Sequence, residues 1–140
     1  MDIERYGIIL NTENYDECVA FYRELFDLPL MFEKVDGNFR LTCLALGTAY
    51  LMIETEGVAK REGKSVEESA TKLRLNVKDI QAALDNVRAY DANASIVEHE
   101  WGLVINIVDP DGNRVSIRDE AGFIEQLHSK NICEDYTNLA

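Results

Sequence analysis

A repeat restricts this chain more than any other feature. Shifted by 65 positions, the first half falls on the second with its punctuation in place. Asn11 falls on Asn76, Asn14 on Asp79, Tyr15 on Ile80, Val19 on Leu84, Tyr22 on Val87 and Arg23 on Arg88. Farther along, Gly37 falls on Gly102 and Gly47 on Gly112, so helix faces and two turns align at one offset without a gap. Self-similarity at a fixed period marks each copy as one supersecondary unit. The chain therefore reads as two related modules in tandem.

The pattern inside each copy is legible. Residues 6–11 form a short apolar strand. Asn14 stands at a helix-cap position, followed by Tyr15, Cys18, Val19, Tyr22, Leu25 and Phe26 at helical spacing, and Pro29 ends the run. Residues 30–33, 39–45 and 49–54 read as strands, separated by Asp36-Gly37-Asn38 and Gly47-Thr48. Residues 55–70 are polar and read as an exposed connector with a helical turn at 66–69. Then the pattern restarts. Residues 73–77 form a strand, and Asp79 caps a helix with Ile80, Ala83, Leu84, Val87 and Tyr90 on one face. Residues 95–98, 103–108 and 114–118 form strands.

Between the last two strands lies Asp109-Pro110-Asp111-Gly112-Asn113, a turn by composition. It sets the register, so Ser116 points away from Val115 and Ile117. The expected organisation is a first βαβββ module at 1–57, a connector at 58–70, a second βαβββ module at 71–119 and a partly helical tail at 120–140. In the tail Phe123, Ile124 and Leu127 share a face, and the residues from Glu134 on read as weakly ordered. The class is α+β. Each helix buries its apolar stripe on one sheet face and leaves the other free. Joined side by side, the modules would make a curved mixed sheet around a cleft, a natural place for a small organic molecule.

Charge and composition exclude other partners. A formal net charge of -12 disfavours nucleic acid, which needs clustered Lys and Arg. No apolar run is long enough to span a membrane. The opening Met1, Asp2, Ile3, Glu4, Arg5 lacks the basic and apolar blocks of a secretory leader. Cys18, Cys43 and Cys133 are odd in number and lack metal-type spacing, so reduced thiols and a cytoplasmic location are expected. Cys18 and Cys43 read as inert core residues, and Phe39, Tyr50 and Tyr22 as packing.

Three stretches carry a family resemblance: residues 21–26 (FYRELF), residues 73–80 (LRLNVKDI) and residues 109–113 (DPDGN). In this order, over about residues 5–119, the chain resembles the glyoxalase/bleomycin-resistance/extradiol-dioxygenase (vicinal oxygen chelate) superfamily. The resemblance implies a fold that serves lyases, epimerases, dioxygenases, thiol transferases and drug-sequestering proteins. It also implies a homodimer, and in the enzymes a divalent metal held by His and Glu on the first and last strands of each module.

Carried over, those positions fall on Gly7, on Met52 (or Leu51, one residue away), on Lys72 and on Ser116. Glycine has no side chain and a protonated ammonium has no lone pair to offer. The usual metal set is expected to be missing, with no cofactor in its place. Glu54 is a lone carboxylate beside Met52. His99, between Glu98 and Glu100, and His128 have no partners at ligand spacing and read as hydrated surface groups.

Alternation nominates what lines the cleft instead: Gly7, Ile9 and Asn11; Tyr50, Met52 and Glu54; Lys72, Arg74 and Asn76; Arg114, Ser116 and Arg118. From these, Met52, Glu54, Lys72, Arg74, Trp101, Ser116 and Arg118 are the candidate ligand-binding residues. Lys72 and Arg74 suit a carboxylate or phosphate, or else pair with Glu54 or acidic loops. Trp101-Gly102 is similar to the Trp-Gly of bleomycin-resistance proteins, with the indole as a stacking surface or, alternatively, a core or dimer contact. The expected function is metal-independent binding of a small organic molecule. The alternatives are a metal-free lyase or isomerase with Glu54 as base, and a metal-dependent lyase or dioxygenase with a rebuilt site. No catalytic residue is otherwise assigned.

Overall fold

Strand alternation decides which residues each module offers to solvent. The computed structural model describes residues 1–129, so the expectations for Cys133 and for the residues from Glu134 on lie outside them. The element order is β1 (Gly7–Asn11), α1 (Tyr15–Ala20), a π-helical turn (Phe21–Leu25), β2 (Leu30–Asp36), β3 (Phe39–Leu46) and β4 (Ala49–Glu54). It continues with β5 (Leu73–Val77), α2 (Ile80–Val87), β6 (Ile96–His99), β7 (Gly102–Val108), β8 (Arg114–Asp119) and α3 (Glu120–Ser129). Two four-stranded sheets result, ordered β1-β4-β3-β2 and β5-β8-β7-β6, so the expected pair of βαβββ modules is present. The chain divides into two compact units, Met1–Ser69 with Val108–Asn113, and Ala70–Ile107 with the residues from Arg114 on. None of the described helices is long and apolar enough to cross a membrane.

In the first unit β1 runs parallel to β4, and β4, β3 and β2 are antiparallel. Leu51 and Ile53 on β4 and Leu44 on β3 are fully buried beneath the helical segment. Each such side chain contributes about 1.5–3 kcal/mol on burial. Tyr15, Cys18, Phe21 and Tyr22 are the buried helical residues. Helical spacing put Leu25 and Phe26 on that stripe, but both are only half-buried. The wider π turn rotates the buried face back to Phe21, whose ring meets Tyr22 edge-on at 4.7 Å. The edge strand β2 is exposed throughout and longer than the expected four residues. Its ladder to β3 has a register break between Leu30 and Phe32.

The second unit repeats the plan. Its β5 runs parallel to β8, with Ile105, Ile107, Val115 and Ile117 buried against Ile80, Leu84 and Val87 of α2. The Asp79 carboxylate accepts from the Ala82 amide at 3.0 Å and caps α2 as expected. Tyr90 is not on the buried face. The helix ends at Val87, and the chain has turned away by residue 90, which is exposed.

The repeat is not gapless. At the single offset Leu51 corresponds to Ser116, yet Leu51 lies on the helix side of its sheet while Ser116 pairs with exposed Arg74. The residue equivalent to Ser116 is Met52, because Ile9 pairs with Met52 as Arg74 pairs with Ser116. The second module has one residue fewer between its turn glycine and this position. A shift of one in a strand exchanges its two faces, so counting alone could not decide between Leu51 and Met52.

The Asp109–Asn113 turn belongs to the first unit, and so does the connector, which is not simply exposed. The Asp109 carboxylate accepts from the Tyr22 hydroxyl at 2.6 Å and from the Asp111 and Asn113 amides at 2.9 Å. The Asp111 carboxylate accepts from the Glu13 amide at 2.7 Å and from both nitrogens of Asn14, at 3.0 and 2.8 Å. Asn14 therefore spends its side chain on Asp111, not on capping α1. The Lys60 and Lys64 amides donate to the Asp111 and Gly112 carbonyls, each at 2.9 Å. Gly112 has φ +84, and a β-carbon there would collide with the Lys60 carbonyl. Two buried carboxylates are tolerated because their lone pairs are met by donors.

Candidate functional site

Each unit keeps one sheet face away from its helix. In the first unit that face carries Gly7, Ile9 and Asn11 from β1 beside their register partners Tyr50, Met52 and Glu54 from β4. Ile9 is 55% exposed, while Tyr50, Met52 and Glu54 are half-buried. Asn11 donates through Nδ2 to the Thr55 carbonyl at 3.1 Å. Next on the same face come Leu41, Cys43 and Ala45, paired with Glu54, Met52 and Tyr50. The Cys43 sulfur lies 3.9 Å from that of Met31, and burial pushes its thiol pKa up.

Tyr50 closes the first implied metal position. Its ring lies over Gly7, where a β-carbon would overlap ring atoms. A histidine would have no room there unless Tyr50 moved. Met52 is a thioether, a soft and weak donor for hard or borderline cations. In the second unit Lys72 is an exposed ammonium and Ser116 a fully buried hydroxyl. The four residues do not fit the divalent metal that the fold implies. Among the described residues no group of three or more His, Cys, Asp or Glu side chains is arranged to hold a metal ion.

The sheet face of the second unit opposite α2 carries two arginines, and α3 lies against part of it through Glu120, Phe123 and Gln126. Arg74 pairs with Ser116 and Asn76 with Arg118 across the parallel β5–β8 ladder, so all four share a face. The Arg118 guanidinium is buried, at 4% exposure, and donates to the Trp101 carbonyl at 2.5 Å and to Gln126 Oε1 at 2.9 Å. Its carbon sits 4.7 Å from the Trp101 ring centre, and that of Arg74 sits 5.2 Å from it. Desolvation, then repulsion from Arg74, hold the Arg118 pKa below the usual guanidinium value. Asn76 donates to Glu120 at 3.0 Å. Among the described residues neither Arg74 nor Arg118 is in an ion pair, so Arg74 does not use the alternative of pairing with an acidic loop. The Ser116 Oγ is buried with no hydrogen-bond partner among them.

The structure thus brings Arg74, Trp101, Ser116 and Arg118 together in one unit, with Asn76 beside them. Met52 and Glu54 are neighbours on the other sheet. Lys72 directly precedes β5 and is exposed. Two participants escaped the sequence reading. His99, expected as a hydrated loop residue, stacks on Trp101 at 4.6 Å with ring planes 6° apart. Two rings at positions i and i+2 around an acidic turn were the available signal. Gln126 of α3 holds Arg118, and nothing local in the tail marks it. Beside Trp101 a cavity of about 670 Å³ is bordered by Glu98, His99, Glu100, Asp119 and Glu125 among others.

The matching family model is the Glyoxalase/Bleomycin resistance protein/Dioxygenase superfamily, over residues 5–117. No curated protein sequence is similar to the chain. Among solved structures, the trypanothione-dependent glyoxalase I of Leishmania major is 19% identical. It has a TM-score of 0.66, with 93% of this chain and 94% of that one covered. An antibiotic binding protein from Streptomyces sp. CB03234 is 14% identical at TM-score 0.58, covering 85% and 95%. A glyoxalase I mutant from Zea mays is 16% identical at TM-score 0.69, and the match spans 88% of this chain but 48% of that one.

Proposed function

From the premise that this chain belongs to the Glyoxalase/Bleomycin resistance protein/Dioxygenase superfamily, we propose that it binds a small organic molecule on its free sheet faces without a divalent metal. One observation carries the reading. The positions that the family resemblance assigns to metal ligands hold Gly7, Met52, Lys72 and Ser116, and the Tyr50 ring fills the space a side chain at Gly7 would need. One replacement can be compensated by a neighbour; four leave no converging donors. The sheet faces opposite α1 and α2 offer the Tyr50 ring, the Met52 thioether and the exposed Arg74 guanidinium, which suit organic ligands better than a bare cation. The antibiotic-binding Streptomyces structure of the same fold supports the reading.

Metal analysis of the purified protein, followed by a thermal-shift screen with small organic compounds, tests it. The expected result is far less than one Zn, Ni, Mn or Fe per chain, together with compounds that raise the melting temperature increasingly with concentration. Stoichiometric metal that survives dialysis, with activity dependent on it, would overturn the reading.

A further inference from the structure

The tripeptide Asp-Gly-Asn occurs twice, at residues 36–38 and 111–113. These hold the chain's two Asp-Gly pairs, and the sequence has no Asn-Gly. Aspartate before glycine carries a chemical liability. The glycine amide nitrogen can attack the carboxyl carbon of the aspartate side chain, because glycine has no β-carbon to hinder the approach. A C–N bond forms, water leaves, and the product is a cyclic succinimide. Water then adds back at one of its two carbonyls. One opening restores aspartate. The other leaves isoaspartate, with the main chain routed through the side chain and lengthened by a carbon. No oxidant, reductant or further reactant is required.

The two sites share their local sequence, so the fold decides between them. At 111–113 each reacting group is held. Asp111 is fully buried, and its carboxylate accepts from the Glu13 amide and from both nitrogens of Asn14. The Gly112 amide, which would have to attack, donates to the Asp109 carbonyl at 2.9 Å. The Lys60 carbonyl crowds Gly112 from outside. At 36–38 these restraints are missing. Asp36 and Gly37 are exposed at the tip of the β2–β3 hairpin, where Asp36 and Phe39 form the last ladder pair. Among the described residues the Asp36 carboxylate accepts no hydrogen bond and joins no ion pair, and the Gly37 amide donates to nothing. A β-carbon at Gly37 would meet nothing within 4 Å, so the turn can rotate as the ring closes. We propose that Asp36 is a site of spontaneous isoaspartate formation and that the fold protects Asp111 from the same reaction. The extra carbon would fall in a two-residue turn whose length sets the β2–β3 register. The assignment is independent of the ligand-binding reading.

The test ages the intact protein at neutral pH and physiological temperature. Tryptic peptides 35–40 and 89–114 are then followed by chromatography and by fragmentation that distinguishes isoaspartate from aspartate. Methyl transfer from labelled S-adenosylmethionine by an isoaspartyl carboxyl methyltransferase gives a second readout. Isoaspartate is expected to accumulate at residue 36 and to form at residue 111 at least about tenfold more slowly, the factor that opening even one charge-assisted hydrogen bond corresponds to. In guanidinium chloride the two rates should converge, because the fold no longer separates them. Asp36→Glu, at an exposed position, should abolish most of the methyl acceptance of the folded protein. Comparable rates at both sites in the folded chain overturn the proposal. So does a folded chain unmodified at Asp36 when the denatured chain reacts at both sites, or a rate ratio that denaturation leaves unchanged.

Discussion

The ring of Tyr50 lies across the backbone of Gly7, in the space where a β-carbon would sit. The two are register partners on adjacent parallel strands, so the contact is fixed by the ladder itself. Glycine at 7 and a large ring at 50 therefore require each other, and together they remove the first position at which a metal-binding relative would present an imidazole.

Gly7→Ala should destabilise the chain by about 1–2 kcal/mol, because the ring must swing aside. In a Tyr50→Ala background the same change should cost almost nothing. A double-mutant cycle by chemical denaturation reads the coupling, expected between about 0.5 and 3 kcal/mol. Additive costs would show that the ring does not rest on Gly7.

Tyr22→Phe removes one donor from the buried Asp109 carboxylate and leaves its bonds from Asp111 and Asn113. The expected loss is about 1.5–3 kcal/mol, the range for a hydrogen bond to a charged group. Urea unfolding monitored by circular dichroism measures it through a lower midpoint at unchanged slope.

Glu68 titrates low. The Lys60 ammonium at 2.8 Å, then bonds from the Ser65 amide and hydroxyl, hold its carboxyl at about 2 instead of 4.5. A lowered folded-state value means the contribution is complete above pH 4.5 and is lost as pH falls towards about 2. Carbon-detected NMR titration should find the Glu68 midpoint well below 4.5. In Glu68→Gln, stability between those two pH values should fall less steeply. Both effects should shrink in high salt, since the pair is exposed.

Cys18 is fully buried, and its thiol is pushed far up by desolvation and by the Asp109 and Asp111 carboxylates. Cys43 is buried and also raised. In a Cys133→Ser variant, a thiol-specific disulfide reagent at pH 8 should find both unreactive in the folded protein and both reactive in denaturant. Rapid labelling of Cys18 without unfolding would contradict its place in the core.

Much of this protein is written in short-range pattern. Period-two alternation marked Ala49–Glu54 and Leu73–Val77 to the residue, and a carboxylate one position before a helical stripe marked the Asp79 cap. These are local preferences, set by neighbours within a few residues. The faces that carry Met52 and Glu54, and Arg74, Ser116 and Arg118, follow from them. Tertiary structure settled what depends on distant partners. The repeat slips by one residue between Leu51 and Ser116, and only the cross-strand ladders reveal it. Asn14 turns to Asp111, 97 residues away, and not to its own helix. Arg118 turns back to the carbonyl of Trp101 in the β6–β7 turn, whose indole also receives Arg74. A side chain's choice among partners of similar chemistry is made by distance and desolvation, and neither quantity exists until the chain has folded.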